Sequence, residues 1–236
     1  MNGAILITGV GKRVGLHLAR TFLGRGVPVI GTYRTERPAL SALRDQGADL
    51  YACDFDVDGQ VEELIHAVSA NYPELRAIIH NASDWMPDDC DLPPAYIMQR
   101  MMRVHASAPY QINLALAPQL QASGNGMADI IHIGDYVSSR GSKKHIAYAA
   151  SKAAQDNLTL SFAASLAPKV KVNSIAPALV LFNEGDGAAY RKKALGKSLM
   201  QREGGLDEFQ QTVDYLLESA YVTGRILPLD GGRHLV

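Results

Sequence analysis

Tyr148 and Lys152 close the run Tyr148-Ala149-Ala150-Ser151-Lys152, and on a helix this spacing sets a phenol and an ammonium on one face. A tyrosine of ordinary pKa, about 10, carries protons poorly near neutral pH. A neighbouring cation favours the phenolate, so the pair is expected to lower the Tyr148 pKa and to act as a proton relay. The same spacing also fits an ordinary surface pair. Near the start of the chain, Thr8-Gly9-Val10-Gly11-Lys12-Arg13-Val14-Gly15 offers a second chemistry. Its glycines let a backbone approach a pyrophosphate, and the N-terminus of a following helix attracts that charge. Gly9, Lys12, Arg13 and Val14 are the candidate nucleotide contacts, against the plainer reading of a tight strand-to-helix turn. Thr32-Tyr33-Arg34-Thr35 presents Arg34 to a 2′-phosphate and no acid to a free ribose hydroxyl, which favours NADPH over NADH. A solvated surface arginine is the alternative.

Such groups need a scaffold that brings distant segments together. Short apolar runs at Ala4–Ile7, Pro28–Thr32, Asp49–Ala52, Ala77–His80, Asp129–Ile133, Val170–Ile175 and Ile226–Leu229 alternate with helical patterns, a rhythm that predicts a parallel sheet wrapped by helices. Val14, Leu18 and Phe22 repeat at helical spacing until Gly24 and Gly26 end the pattern, completing a first βαβ unit. Ser83 to Pro94 and Leu181 to Gly205 carry few regular signals and are expected to be loops over a site.

The 236 residues, 47% hydrophobic, suit one α/β domain spanning 1–236, and no repeat or low-complexity linker marks a second. A net charge of -1 gives no bulk attraction to nucleic acid or to an anionic membrane. Cys53 and Cys90 lack the spacing of a metal site or a disulfide framework, so no metal is expected. The N-terminal residues run straight into the first apolar strand, and no later run reaches membrane-spanning length; a cytoplasmic protein is expected.

Together with Ile130 to Asp135, Val172-Asn173-Ser174-Ile175-Ala176-Pro177, Val222-Thr223-Gly224-Arg225 and Leu229-Asp230-Gly231-Gly232, these motifs resemble the short-chain dehydrogenase/reductase family from Thr8 to Gly232. The resemblance implies a Rossmann-like doubly wound parallel sheet, NADPH across the strand ends, Tyr148 as proton donor and Lys152 on the nicotinamide ribose. It also carries over Asn81 and Ala82, within His80-Asn81-Ala82-Ser83, as cofactor contacts. Asp54 and Phe55 follow on the adenine side, and Pro177 beside the nicotinamide.

Several positions depart from the family's usual pattern. Asp135 replaces the serine found thirteen residues before the tyrosine, and Arg13 replaces the loop's second glycine. His105 replaces an asparagine, where it either holds the same water or packs as a core histidine. Pteridine reductases of the family are similar in combining such an Arg with Asp, Tyr and Lys, a Ser after Asn-Ala and an aromatic two residues on. Here these are Arg13, Asp135, Tyr148, Lys152, Ser83 and Trp85. The resemblance implies a flat pterin between nicotinamide and Trp85, with Arg13, Ser83, Asp135 and Tyr148 at its polar edge. A closer resemblance within this group, in Asp135-Tyr136-Val137, Lys144 to Lys152 and Pro228 to His234, implies reduction of 7,8-dihydromonapterin to the tetrahydro form, with weak dihydrofolate reduction, in a homotetramer. For Asp135 to serve as an acid, burial must raise its pKa; otherwise it orders a turn or holds Tyr148. A carbonyl or 3-oxoacyl thioester reductase and a catalytically inactive NADPH-binding regulator are the competing readings.

Overall fold

Leu6, Ile78, Ile130 and Val172 face one side of a sheet while Ile5, Ile7, Ile79, Ile131 and Ile175 face the other, so both faces are apolar and both need cover. The computed structural model describes residues 3–124 and 126–236. Strands β1 (Ala4–Ile7), β2 (Val29–Tyr33), β3 (Asp49–Ala52), β4 (Leu75–His80), β5 (Ala128–Ile133), β6 (Val170–Pro177) and β7 (Ile226–Leu229) form one parallel sheet. Their order is β3-β2-β1-β4-β5-β6-β7. This is the doubly wound arrangement, and the seven apolar runs of the sequence supply its strands.

Helices α1 (Arg13–Gly24), α2 (Pro38–Asp45) and α8 (Leu206–Glu218) cover one face through Leu18, Phe22, Leu40, Leu43, Phe209, Val213 and Leu216. On the other, α3 (Gln60–Asn71), α5 (Ala108–Gln121) and α6 (Ile146–Leu166) contribute Val61, Leu64, Ile112, Leu116, Phe162 and Leu166. Each large aliphatic or aromatic side chain sealed in this way stabilises by roughly 1.5–3 kcal/mol before entropy is counted. Two short helices complete the chain, α4 (Pro94–Met102) and α7 (Ala188–Leu195). The second corrects the sequence reading, which expects 181–205 to be loop throughout.

Strand order reverses between β1 and β4, and the crevice beyond their carboxyl ends is where ligands bind in open sheets of this kind. The Gly9–Gly15 turn and Asn81–Trp85 leave the sheet side by side there. Between α4 and α5 the helix opens into a π turn at Arg103–Ser107, with the Ala108 N–H reaching back to the Arg103 carbonyl. Pro109 supplies the cause: it has no N–H for the carbonyl of residue 105, and its ring would clash with that carbonyl in a regular helix. The π turn carries His105 into the interior, fully buried. No helix of the described residues is long and apolar enough to cross a membrane.

Candidate active site

The nucleotide side of the crevice is built from backbone. A Cβ on Gly15 would lie 2.2 Å from the Gly9 carbonyl oxygen and 2.5 Å from Asn81 Nδ2, so only glycine lets α1 start this close to the turn. Asn81 clamps the same turn, its Nδ2 donating to the Thr8 and Gly9 carbonyls at 3.0 Å each. The Ala82 N–H donates to Thr8 Oγ1 at 2.9 Å. No side chain caps α1 and no acid stands in its first turn. Lys12 and Arg13 are exposed there. An uncapped positive helix end beside a glycine turn and exposed cations fits a dinucleotide's phosphates.

Arg13 and Arg34 lie in the crevice, but both have protein partners. Arg13 adopts φ +53, the left-handed backbone that a glycine takes freely, and its guanidinium donates to Asn183 Oδ1 at 2.7 Å and to the Leu181 carbonyl at 2.9 Å. It therefore ties the 181–205 segment to the start of α1. Arg34 donates to Asp84 Oδ2 at 2.9 Å, an oxygen that also takes Arg100 Nε at 2.8 Å and Nη2 at 2.7 Å. Burial alone would raise the Asp84 pKa, but the two guanidiniums hold it below the usual value. Arg37 is a further residue of the crevice that the sequence motifs do not mark; its Cδ lies 3.5 Å from where a Gly11 Cβ would stand, and it has no carboxylate partner among the described residues. A third arginine only three positions after Arg34 was the signal available.

Of the two residues expected on the adenine side, Phe55 is packed into the core, and Asp54 Oδ1 accepts the Asp56 N–H at 3.1 Å. Val14 packs against the core on the α1 side of the sheet. Pro177 ends β6, buried and paired with Leu229.

The side of the crevice that carries Tyr148 and Lys152 is built from side chains. Tyr148 donates its hydroxyl proton to Asp135 Oδ2 at 2.8 Å, while Asp135 Oδ1 accepts the Val137 N–H at 3.0 Å. Asp135 thus orders a turn and holds Tyr148 together. Burial is the largest influence on it and raises its pKa, against the opposing pull of Val137, Tyr148, Lys152 and Arg233. Lys152 is fully buried, donating to the Ile133 carbonyl at 2.7 Å and Gln155 Oε1 at 3.2 Å, and burial lowers its pKa to about 8. The Tyr148 pKa is pushed well above its ordinary value, first by burial and then by the Asp135 carboxylate. This overturns the expectation of a phenol acidified by Lys152. The ammonium lies 5.9 Å from the phenol ring centroid and bonds elsewhere, while a carboxylate bonds the hydroxyl directly.

Trp85 is 60% exposed on the Ser83 to Pro94 loop, its ring 4.0 Å from that of His145 between centroids. With Asp135, Tyr136, Val137, His145, Tyr148 and Arg233 it lines a cavity of about 350 Å³, within the range of small-molecule sites. Lys143, Lys144 and Lys197 join its wall. Ser83 lies beside the Tyr148 hydroxyl, its own hydroxyl 2.8 Å from His105 Nε2. The structure therefore gathers Ser83, Trp85, Asp135, Tyr148 and Lys152 and holds Arg13 at the loop. His105 meets Tyr148 edge-on at 5.3 Å between ring centroids.

A family profile described as enoyl-(acyl carrier protein) reductase matches residues 9–234. The chain belongs to the short-chain dehydrogenase/reductase family. Within this family it is 54% identical to a dihydromonapterin reductase of Klebsiella pneumoniae over 231 residues, 98% of this chain and 96% of the relative. The Escherichia coli K12 dihydromonapterin reductase is 53% identical with the same coverage. Among solved structures, FolM alternative dihydrofolate reductase 1 of Brucella canis, complexed with NADP, superposes with a TM-score of 0.86 at 26% identity. That match covers 100% of this chain and 95% of the other. The Brucella suis protein, also with NADP, gives 0.85 at 27%, covering 100% and 96%.

Proposed function

We propose that this chain reduces a dihydropterin with NADPH, converting 7,8-dihydromonapterin to tetrahydromonapterin and acting weakly on dihydrofolate. The observation that carries the reading is the Asp135–Tyr148 hydrogen bond at the mouth of a cavity walled by Trp85, where a carbonyl reductase of the family would offer a serine donor. The dihydromonapterin reductases more than half identical over nearly the whole chain support it.

When bound, NADPH supplies a hydride, here to C6 of the pterin. Gly9, Lys12, Arg13, Val14, Arg34, Asp54, Phe55, Asn81, Ala82, Tyr148, Lys152 and Pro177 form its binding surface: backbone and cations at the phosphates, Lys152 at the ribose. Arg13, Ser83, Trp85, Asp135 and Tyr148 orient the pterin, Trp85 offering a flat apolar surface and the others hydrogen bonds. N5 must gain a proton. Tyr148 and Asp135 hold one between two oxygens, and with both pKa values raised the pair retains it at neutral pH. Lys152, sealed behind them, supplies the opposing charge as that proton leaves. Exposed Leu114, Ala153, Leu160 and Ala164 on the outer surfaces of α5 and α6 suit subunit packing, and we expect a cytoplasmic homotetramer.

Loss of NADPH absorbance is to be followed with dihydromonapterin, dihydrobiopterin, dihydrofolate and an acetoacetyl thioester. Turnover should be fastest on dihydromonapterin and fall about a hundredfold or more in Tyr148→Phe. Thioester turnover alone would make the protein a ketoacyl reductase; NADPH binding without turnover of any substrate would make it a regulator.

A further inference from the structure

Ser151 fixes where the proton of His105 resides. Its hydroxyl donates to the Tyr148 carbonyl at 2.7 Å, so its oxygen can only accept from His105 Nδ1, 2.8 Å away. The Met101 carbonyl, one turn back, is a second acceptor for the ring. Burial, reinforced by the charge of Lys152, holds the His105 pKa well below its ordinary value, so the ring is neutral and Nε2 is bare. That nitrogen accepts from the Asp84 N–H at 3.3 Å and from the Ser83 hydroxyl at 2.8 Å. Of the other acceptors near Ser83, the Asp84 carbonyl is at 3.4 Å, beyond normal O–H···O range, and the Tyr148 hydroxyl, which donates to Asp135, makes no hydrogen bond with it. A serine hydroxyl has one proton, and here it is committed to the histidine.

We propose that His105 is a positioning residue that makes Ser83 an acceptor-only group beside Tyr148, so that this corner of the crevice selects a ligand edge bearing an N–H donor. The identity of that edge, an amino or ring N–H of a pterin, rests on the dihydropterin reading above; its polarity rests on the hydrogen bonds alone. A ligand presenting a lone pair to Ser83 meets another lone pair and loses about tenfold in affinity.

The first test needs no ligand. Nitrogen NMR of histidine-labelled protein, with His105 assigned through the shift that Ser83→Ala imposes on its Nε2, is expected to report the Nδ1–H tautomer from about pH 8 down to about pH 5.5. An Nε2–H tautomer, or titration inside that range, overturns the proposal. The second test compares binding of pterin, lumazine (oxygen in place of the 2-amino group) and 2,4-diaminopteridine (no hydrogen on N3) to the NADPH complex. Wild-type protein should bind at least one analogue about tenfold more weakly than pterin, and His105→Phe and Ser83→Ala should each shrink the gap to about threefold or less. Unchanged ratios in His105→Phe overturn it; if that variant does not fold, the Ser83→Ala ratios decide in the same way. Absence of pterin binding by wild-type protein with the Nδ1–H tautomer intact would remove the dihydropterin reading and leave the polarity of Ser83 standing.

Discussion

The two walls of the crevice are made differently. On the nucleotide wall, the Asn81 amide and the Thr8 hydroxyl bond main-chain groups of Thr8, Gly9 and Ala82, and Gly15 lets α1 approach this main chain by having no side chain. On the substrate wall, side chains hold side chains: Asp135 to Tyr148, His105 to Ser83 and Ser151, Asp84 to Arg34 and Arg100. A main-chain wall serves a cofactor whose phosphates are always the same. A side-chain wall can be re-specified one residue at a time, and its departures from the family pattern are concentrated there.

The sharpest way to break this comparison is to put a side chain into the main-chain wall. Gly15→Ala introduces a methyl that cannot stay 2.2 Å from a carbonyl oxygen, so α1 or the turn must move. A stability loss of about 2–3 kcal/mol in urea unfolding, with NADPH affinity falling at least about tenfold, is expected. Wild-type behaviour in both measurements would mean that the turn is not the rigid wall described.

On the other wall the corresponding probe is charge. Lys152 has a folded pKa of about 8 against an ordinary 10.5, so between these values the unfolded chain binds more protons and stability rises with pH. Below about pH 8 the full cost of the buried ammonium is present; above it, that cost is progressively relieved. In urea unfolding the wild type should therefore gain on the order of 1–2 kcal/mol of stability relative to Lys152→Met as pH is raised from 8 towards 10.5, a difference in which the opposite contributions of Tyr148 and Cys53 cancel. Parallel curves for the two proteins would refute it.

The same contrast explains what could be read from sequence. Strands reveal themselves by apolar runs because both faces of the sheet are buried, and the glycine turn reveals itself because only one residue type fits. Helix α7, Ala188–Leu195, buries only Ala194 and so has no apolar stripe to read. Pairings on the substrate wall join residues far apart in the chain, such as Arg13 with Asn183 and Arg34 with Asp84. Neither partner carries a local signal of the other. The direction of the Tyr148 shift is hidden from the sequence for a related reason: helical spacing displays Lys152, whereas the oxygen that bonds the phenol comes from just beyond the end of β5.

Arg34 and Arg37 sharpen the comparison further, since they sit where the walls meet. Arg34 is already neutralised by Asp84, whereas Arg37 lies over Gly11 with no carboxylate partner among the described residues. A 2′-phosphate should gain more from Arg37. Arg37→Ala is expected to raise the NADPH KM about tenfold and leave that for NADH within about twofold, and Arg34→Ala should do less. The reverse ranking would show that Arg34 leaves Asp84 for the phosphate.

The smallest expected effect comes from Arg13, whose backbone belongs to one wall and side chain to the other. Its φ of +53 is a glycine's conformation, held at a cost of about 1 kcal/mol, while its guanidinium anchors Asn183 and Leu181. Arg13→Gly relieves the first and removes the second. Stability should therefore stay level or rise by up to about 1 kcal/mol, while the pterin KM increases about threefold to tenfold as the 181–205 segment loses its tie. Arg13→Ala keeps the backbone strain and loses the anchor, so it should be the less stable of the two by about the strain alone. Equal stability of these variants, measured by urea unfolding, would mean that the left-handed backbone carries no cost and that the two walls are not in competition at this residue.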